Sequence, residues 1–392
     1  MGRSRGPGRG ASIGQGATRD DLVRDGITWA VIVAWTTVCA WAQASPSGIS
    51  WHFFADGTRI LLHGSGLHLY ARHPELQIGP LAFLAVAAWS WLPAPCARVT
   101  AQVLMTAALP VVLAVLWPLV ERTSRRRTRV LLAAVVLAPA WAVLAVRWAH
   151  ADDVVALLAL VVAVRTARRD HAVATGIALA VAAGAKPWAV LGLPLLLLLN
   201  AGRGKLIGAV AAAAGIALVW GPFLVADSGT LTAFHPQVGI SASSVLALLG
   251  YTGTVIPAWD RAAQLLAAPA AALAAVLLRA WPAALLCGVA ARLALDPQDI
   301  AYYAAGAAVA AAVADLLGTS LRVPWLTLVT VLALWQPFVA DFAQRLGTSH
   351  GVALWWFEHQ GAVAAVHLAW AGVVPLAAVL AVRRGHTSTE PR

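Results

Sequence analysis

Charge is scarce in this chain of 392 residues: Asp, Glu, Lys and Arg together make up only 11% of it. Soluble domains carry about a quarter charged residues, so a soluble enzyme and a disordered regulator are both excluded. Lysine is scarcer still. Only Lys186 and Lys205 occur, and the net charge of +11 rests almost wholly on arginine. Cysteine is limited to Cys39, Cys96 and Cys287, which show no metal-ligand spacing and form no even set. That excludes a secreted disulfide scaffold, and all three read as small apolar residues. What the chain has instead is apolar bulk: 60% hydrophobic residues and a mean hydropathy of +0.76. This is the composition of an all-α polytopic membrane protein. Its basicity needs no nucleic-acid partner, because membrane proteins gather arginine in cytoplasmic loops.

The hydropathy pattern divides the chain into a Gly- and Arg-rich tail over 1–26, a transmembrane domain over 27–382 and a short tail over 383–392. The tails are expected to be cytoplasmic, and the first one disordered. Spans are expected at about 27–44, 98–120, 130–148, 153–167, 171–185, 187–200, 206–226, 261–279, 281–295, 300–318, 324–341 and 360–382. The proline-flanked run 79–92 is expected to be an interfacial or partly inserted helix. If it crossed the bilayer, the arginine-rich run 121–129 would lie outside. Keeping it interfacial gives about 12 spans and places 20 of the 28 basic residues inside, against 8 outside, as the positive-inside bias requires. Ten of the 17 acids and eight of the 11 histidines then gather on the outer side. That is where chemistry is expected.

The first outer loop, 45–97, is the most polar part of the domain. Asp56 follows Trp51, Phe53 and Phe54 and precedes a stretch, Gly57 to His63, able to make about two helical turns. Asp56 is either a helix N-cap or a general base for a hydroxyl. Glu75 either pairs with Arg72 or binds an acceptor. Asp152 and Asp153 either cap the fourth span or orient a bound sugar, and their spacing argues against a metal. Lys186, before Pro187 at the hinge of two short apolar segments, is either a snorkelling lysine or a phosphate ligand. Arg292 lies one turn below the surface and is expected to be paired or phosphate-bound. Val245 to Leu249 reads as a short interfacial helix.

Four local motifs carry a resemblance: Phe54-Ala-Asp56-Gly57, Pro74 to Leu81, Asp152-Asp153 and Lys186-Pro187. In this layout, over about 27–382, the chain resembles the C-type membrane glycosyltransferases. It is most similar to the actinobacterial polyprenyl-phosphate-mannose-dependent family, glycosyltransferase family 87. The resemblance implies a bundle of about 12 transmembrane helices with interfacial helices in the first outer loop. It implies an inverting transfer of a sugar, mannose in that family, from a polyprenyl-phosphate donor to a cell-envelope glycolipid or glycan on the outer face of the plasma membrane. Asp56 would be the base, with Lys186, Arg292 and Arg261 on the donor phosphate. Arg59, His63, His73, Glu75, Arg147, His150, Asp152, Asp153, His235 and Tyr302 would bind substrate. No metal or cofactor would be needed beyond the lipid-linked donor. A transporter of lipid-linked glycans and a non-catalytic membrane partner are the alternatives.

Overall fold

The computed structural model describes residues 19–45, 47–200, 202–234, 238–336 and 350–387. Among them there are helices and connecting turns, and no strand. The principal helices are α1 Arg19–Ala42, α2 Trp51–His63, α3 Leu69–Arg72, α4 Pro80–Ala87, α5 Ala94–Leu116, α6 Arg126–Ala142, α7 Ala151–Arg168, α8 Ala172–Ala185, α9 Gly202–Ala226, α10 Val245–Leu248, α11 Asp260–Leu277, α12 Ala284–Leu295, α13 Tyr303–Gly318 and α14 Trp325–Ala333. A C-terminal helix, Gln360–Thr387, closes the chain. A six-residue π-helix, Val143–Trp148, continues α6, and a 12-residue 3₁₀-helix, Pro187–Leu198, follows α8.

Among the described residues, six helices are long and apolar enough to cross a membrane: Asp21–Ala42, Ala94–Leu119, Arg126–Trp148, Gly202–Ala226, Asp260–Leu277 and Gln360–Arg384. These fit a membrane protein. The count of about 12 spans is not reached by length. α8, the 3₁₀-helix, α12 and α13 are shorter apolar segments, and α14 has nine residues. α7 has 18 residues but carries Asp152, Asp153, Arg165 and Arg168. The run 79–92 contains only the eight-residue α4. At 1.5 Å per residue α4 is about 12 Å long, far short of a bilayer core. Residues 337–341 of the expected span 324–341 lie outside the described residues.

α13 and α7 stand at the centre. From Ala304 to Leu316, α13 is buried on every side except at Gly306, and its alanines let neighbouring helices approach closely. α9 is the opposite case. It is apolar all round, yet only Gly208, Ala212 and Phe223 are buried. An apolar helix that packs so little of its surface fits a lipid-facing position. α9 reaches the bundle through α8, where a Cβ on Gly176 would fall 2.3 Å from the Gly208 carbonyl oxygen.

The arginine-rich run is not all loop. α6 starts at Arg126, and the last residue of the run, Arg129, is buried. Its guanidinium donates to the carbonyls of Asp315 (2.7 Å), Leu316 (3.2 Å) and Thr319, the orphan acceptors at the end of α13. Asp315 in turn accepts from Thr327 N and Thr327 Oγ1, both at 2.8 Å, and so caps the start of α14. Arg127 binds Asp21 (2.8 Å) and Asp25 (2.5 Å). Those two acids stand one helical turn apart on α1, so α1 starts at Arg19 rather than at 27. Residues 1–18 of the N-terminal tail, and 388–392 of the C-terminal tail, lie outside the described residues. The C-terminal helix runs past 383 to Thr387.

Arg129→Ala strips a charged donor from three buried carbonyls. It should lower stability by about 3 kcal/mol, read as a drop in the thermal unfolding midpoint in detergent. An unchanged midpoint would remove Arg129 from its capping role.

Candidate functional site

At the end of the bundle where α7 and α11 begin and α8 ends lies a cavity of about 430 Å³. That lies within the range of about 300–1,000 Å³ usual for small-molecule sites. Its walls combine Trp148, Trp188 and Trp220 with Ser50, Glu75, Gln77, His150, Lys186, Arg261, Gln264, Arg292 and Tyr302.

Local backbone chemistry sets the positions. Gly48, Ile49 and Ser50 donate their N–H groups to the carbonyls of Val146, Arg147 and Trp148 at 3.0–3.1 Å. The segment before α2 thus satisfies the open end of the π-helix. Ala149 then turns left-handed (φ 56°, ψ 50°), and His150 N returns to Leu144 O at 3.1 Å. A left-handed alanine costs about 1 kcal/mol, and the turn holds because these bonds fix both sides. Ser50 and His150, far apart in sequence, meet as a result. Gly79 does the same for the next stretch. Its N–H donates to Ala185 O at 3.0 Å, and a Cβ there would fall 2.2 Å from Gly184 O. Only glycine lets residues 75–79 lie against the end of α8, which brings Glu75 and Gln77 to the cavity.

Lys186 ends α8 because Pro187 follows it. The residue before a proline is pushed out of the helical region, and Lys186 is extended (φ −146°, ψ 116°). Its ammonium is bound by Asp152 and, at 3.1 Å, by Asp153. Both carboxylates are buried in the first turn of α7. His150 Nδ1 lies 3.1 Å from Asp152 and 3.3 Å from Asp153. The Trp188 indole donates to Asp153 at 3.2 Å. Burial alone would lower the Lys186 pKa, but the two carboxylates outweigh it and hold the ammonium above the ordinary lysine value. Burial likewise pulls the His150 pKa down, and Asp152 outweighs it, so His150 stands above the ordinary histidine value. Two carboxylates against one ammonium leave a negative charge that an imidazolium balances. The donor atoms of His150, Asp152 and Asp153 lie within 4.8 Å of one another, close enough for a metal. In this chain Lys186 provides the positive charge between the two carboxylates.

Three cations face the cavity with unequal compensation. Lys186 is shared by two acids. Arg292 is buried, paired with Asp296 (2.5 Å) and stacked over Tyr303 (4.6 Å to the ring centre), and its Nε has no hydrogen-bond partner among the described residues. Among the described residues, Arg261 meets the amide oxygens of Gln264 (3.3 Å) and Gln77 (3.4 Å), with Asp260 at 3.9 Å. It is the cation most open to an incoming anion.

The structure thus brings together Glu75, His150, Lys186, Arg261, Arg292 and Tyr302, with Asp152 and Asp153 behind them. It does not bring Asp56, Arg59, His63, His73 or Arg147 to the cavity lining. α2 begins at Trp51, not Gly57, so Asp56 sits in mid-helix and caps nothing. Trp51, Phe54, Gly57 and Thr58 form the buried face of α2, with Trp51 and Phe54 in the core. Asp56 points away from that face and pairs at 3.0 Å with the exposed Arg59. His63 is exposed at the end of α2. Glu75 pairs with His73 (3.2 Å) rather than with Arg72. Lys186 is a buried ion pair rather than a snorkelling side chain. Arg147 is buried in the π-helix. Cys96 is exposed, unlike the buried Cys39. His235 lies outside the described residues. Ser50, Gln77, Gln264 and the wall tryptophans are cavity residues that the sequence reading missed. For Ser50 the one available signal was a serine directly before an amphipathic helix.

Removing the ammonium leaves two buried carboxylates unbalanced. Lys186→Ala should cost about 3–5 kcal/mol, and adding Asp152→Asn should recover part of it, read as unfolding midpoints in a double-mutant cycle. Simple additivity would separate Lys186 from the carboxylates. As for known proteins, no family model matches the chain and no curated protein matches it.

Proposed function

We propose that this cavity holds the sugar-phosphate head of a polyprenyl-phosphate donor and that the protein transfers the sugar, with inversion, to a hydroxyl of a glycolipid or glycan acceptor. One observation carries the reading. Arg261, Arg292 and Lys186, from α11, α12 and the α8 hinge, converge on one cavity whose walls also carry Trp148, Trp188, Trp220 and Tyr302. Cations fix a phosphate and stabilise the negative charge that grows on it as it departs. Tryptophan faces suit the apolar face of a sugar ring, and the apolar helices around the site suit a lipid tail. Arg261 is the first ligand for the phosphate, Arg292 Nε the second, and Lys186 acts mainly by its field. The base belongs on the cavity wall rather than at Asp56.

The reading keeps a glycosyltransferase-like bundle of about 12 membrane segments, several of them short, with the cavity extracytoplasmic and both termini cytoplasmic. The basic residues gather at the opposite end, and that asymmetry supports the orientation. Transport of a lipid-linked glycan is the competing reading, and the same vesicles test it.

In proteoliposomes, wild-type protein should bind polyprenyl phosphate and transfer a radiolabelled hexose from a polyprenyl-phosphate hexose to a lipid acceptor. Loss of a charge-assisted contact worth about 1.5–3 kcal/mol corresponds to roughly 10–150-fold in affinity. Arg261→Ala should weaken polyprenyl-phosphate binding by that order, while Asp56→Asn changes it less than about 2-fold. Equal binding by the Arg261 variant would remove the phosphate assignment. Movement of donor between leaflets without transfer would select the transporter.

The orientation has its own test. Arg125 is exposed just before α6, so an Arg125→Cys protein lacking native cysteines should resist an impermeant thiol reagent in intact cells. Efficient labelling from outside would reverse the orientation.

A further inference from the structure

Ser50, His150 and Asp152 stand in a line. Ser50 Oγ lies 3.0 Å from His150 Nε2, and His150 Nδ1 lies 3.1 Å from Asp152 Oδ1. All three residues are buried, yet Ser50 and His150 both line the cavity. The order of groups is a hydroxyl, an imidazole nitrogen facing it, and a carboxylate on the other nitrogen. That is the geometry by which a histidine accepts a proton from a serine while the acid fixes its tautomer and orientation. The parts are held rigidly. Ser50 N is bonded to Trp148 O, and His150 N to Leu144 O. The imidazole is stacked on the Tyr302 ring at 3.8 Å and met edge-on by Phe54 at 5.6 Å. Asp152 is anchored by Lys186 and by the N–H of Asp153.

We propose that Ser50 and His150 form the proton-accepting relay of this site, with Asp152 as the positioning residue, and that the Ser50 hydroxyl is chemically activated. The relay rests on the sugar-transfer reading for its substrate but not for its activated serine. In the transfer step the acceptor oxygen bonds the anomeric carbon as the bond from that carbon to the donor phosphate oxygen breaks. The electron pair leaves with the polyprenyl phosphate, on the Arg261 and Arg292 side. The acceptor proton passes to Ser50 Oγ while the Ser50 proton passes to His150 Nε2. The imidazolium that results keeps its Nδ1–H on Asp152.

The relay works from neutral His150. The charged groups facing it are Asp152 and Asp153 from α7 and Lys186 from the α8 hinge; Tyr302 covers one face and Arg292 stands beyond Asp153. Because the acids hold the histidine protonated above its ordinary range, reactivity should climb as pH rises through that raised value.

The test needs no knowledge of the sugar. Phenylmethanesulfonyl fluoride reacts with an activated serine by forming an oxygen–sulfur bond as fluoride leaves and the proton goes to the histidine. Purified protein in detergent is treated across pH 6–9 and the adduct is mapped by mass spectrometry. Expected is modification at Ser50, rising with pH, absent in Ser50→Ala, slowed at least about 100-fold in His150→Gln and unchanged in Asp56→Asn. Thermal midpoints report whether each variant is folded. An unmodified Ser50 in wild-type protein, or equal labelling in a folded His150→Gln protein, would overturn the relay. Labelling at Ser50 in a protein that neither binds polyprenyl phosphate nor transfers hexose would uphold the activated serine and overturn the sugar-transfer reading. In an active protein, Ser50→Ala should lose transfer while keeping polyprenyl-phosphate affinity within about 2-fold; retained transfer would also overturn the relay.

Discussion

The ammonium of Lys186 between Asp152 and Asp153 is the interaction on which the site depends. Burying ions costs several kcal/mol for each, and a buried pair survives only if its remaining donors and acceptors are also used. Here they are: Asp152 takes the Asp153 N–H and the His150 imidazole, and Asp153 takes the Trp188 indole. The cluster therefore fixes four things at once. It fixes the first turn of α7, the end of α8, the start of the 3₁₀-helix and the orientation of His150. Each of these bears a wall of the cavity.

The same device recurs at another helix junction, where Arg129 closes the end of α13 and Asp315 opens α14. In both places a buried charge stands where helix termini leave backbone groups without partners. Water cannot serve those groups inside an apolar bundle, so side chains must. The few charges of this chain are thus concentrated at helix ends. The difference between the two places lies in what remains unused. Arg129 and Asp315 make their contacts with the backbone ends of α13 and α14. Around Lys186 the walls keep an arginine held by two amides, with its nearest carboxylate at 3.9 Å, and a serine-facing imidazole.

Much of this was legible in the sequence. The helical class and the pairing of the buried Arg292 follow from hydropathy and from the cost of charge in apolar surroundings. The pairings were not legible. Lys186 meets Asp152 across 34 positions and His150 meets Ser50 across 100; no local pattern encodes either. Asp56 misled for a reason of periodicity. An acid beside three aromatics looks like a site, but at 3.6 residues per turn Trp51, Phe54 and Thr58 face inward and Asp56 faces out with Arg59. Ser50 was overlooked for the converse reason. It is a common helix-start residue, and its interest comes only from the end of the π-helix, which its own segment caps. The number of spans is not fixed by hydropathy, because apolar runs do not report their length in helical rise: among the described residues, six helices reach the length of a span and the other apolar segments are shorter.

The uneven compensation of the three cavity cations gives the site a direction. A group already neutralised by two carboxylates attracts a further anion weakly. One held by neutral amides attracts it strongly, and low polarity around the cavity magnifies the contrast. On the sugar-transfer proposal, a phosphate would be drawn first to Arg261, whose nearest carboxylate, Asp260, stands at 3.9 Å, and away from Asp152 and Asp153, which would repel it. The proton-accepting groups lie on the acidic side, bound to those same carboxylates. On the sugar-transfer proposal, an incoming hydroxyl would give up its proton at Ser50 and His150 while the phosphate leaves toward Arg261. The Lys186 cluster then does more than hold helices together: by using up one cation on two acids, it leaves Arg261 as the least compensated cation of the cavity.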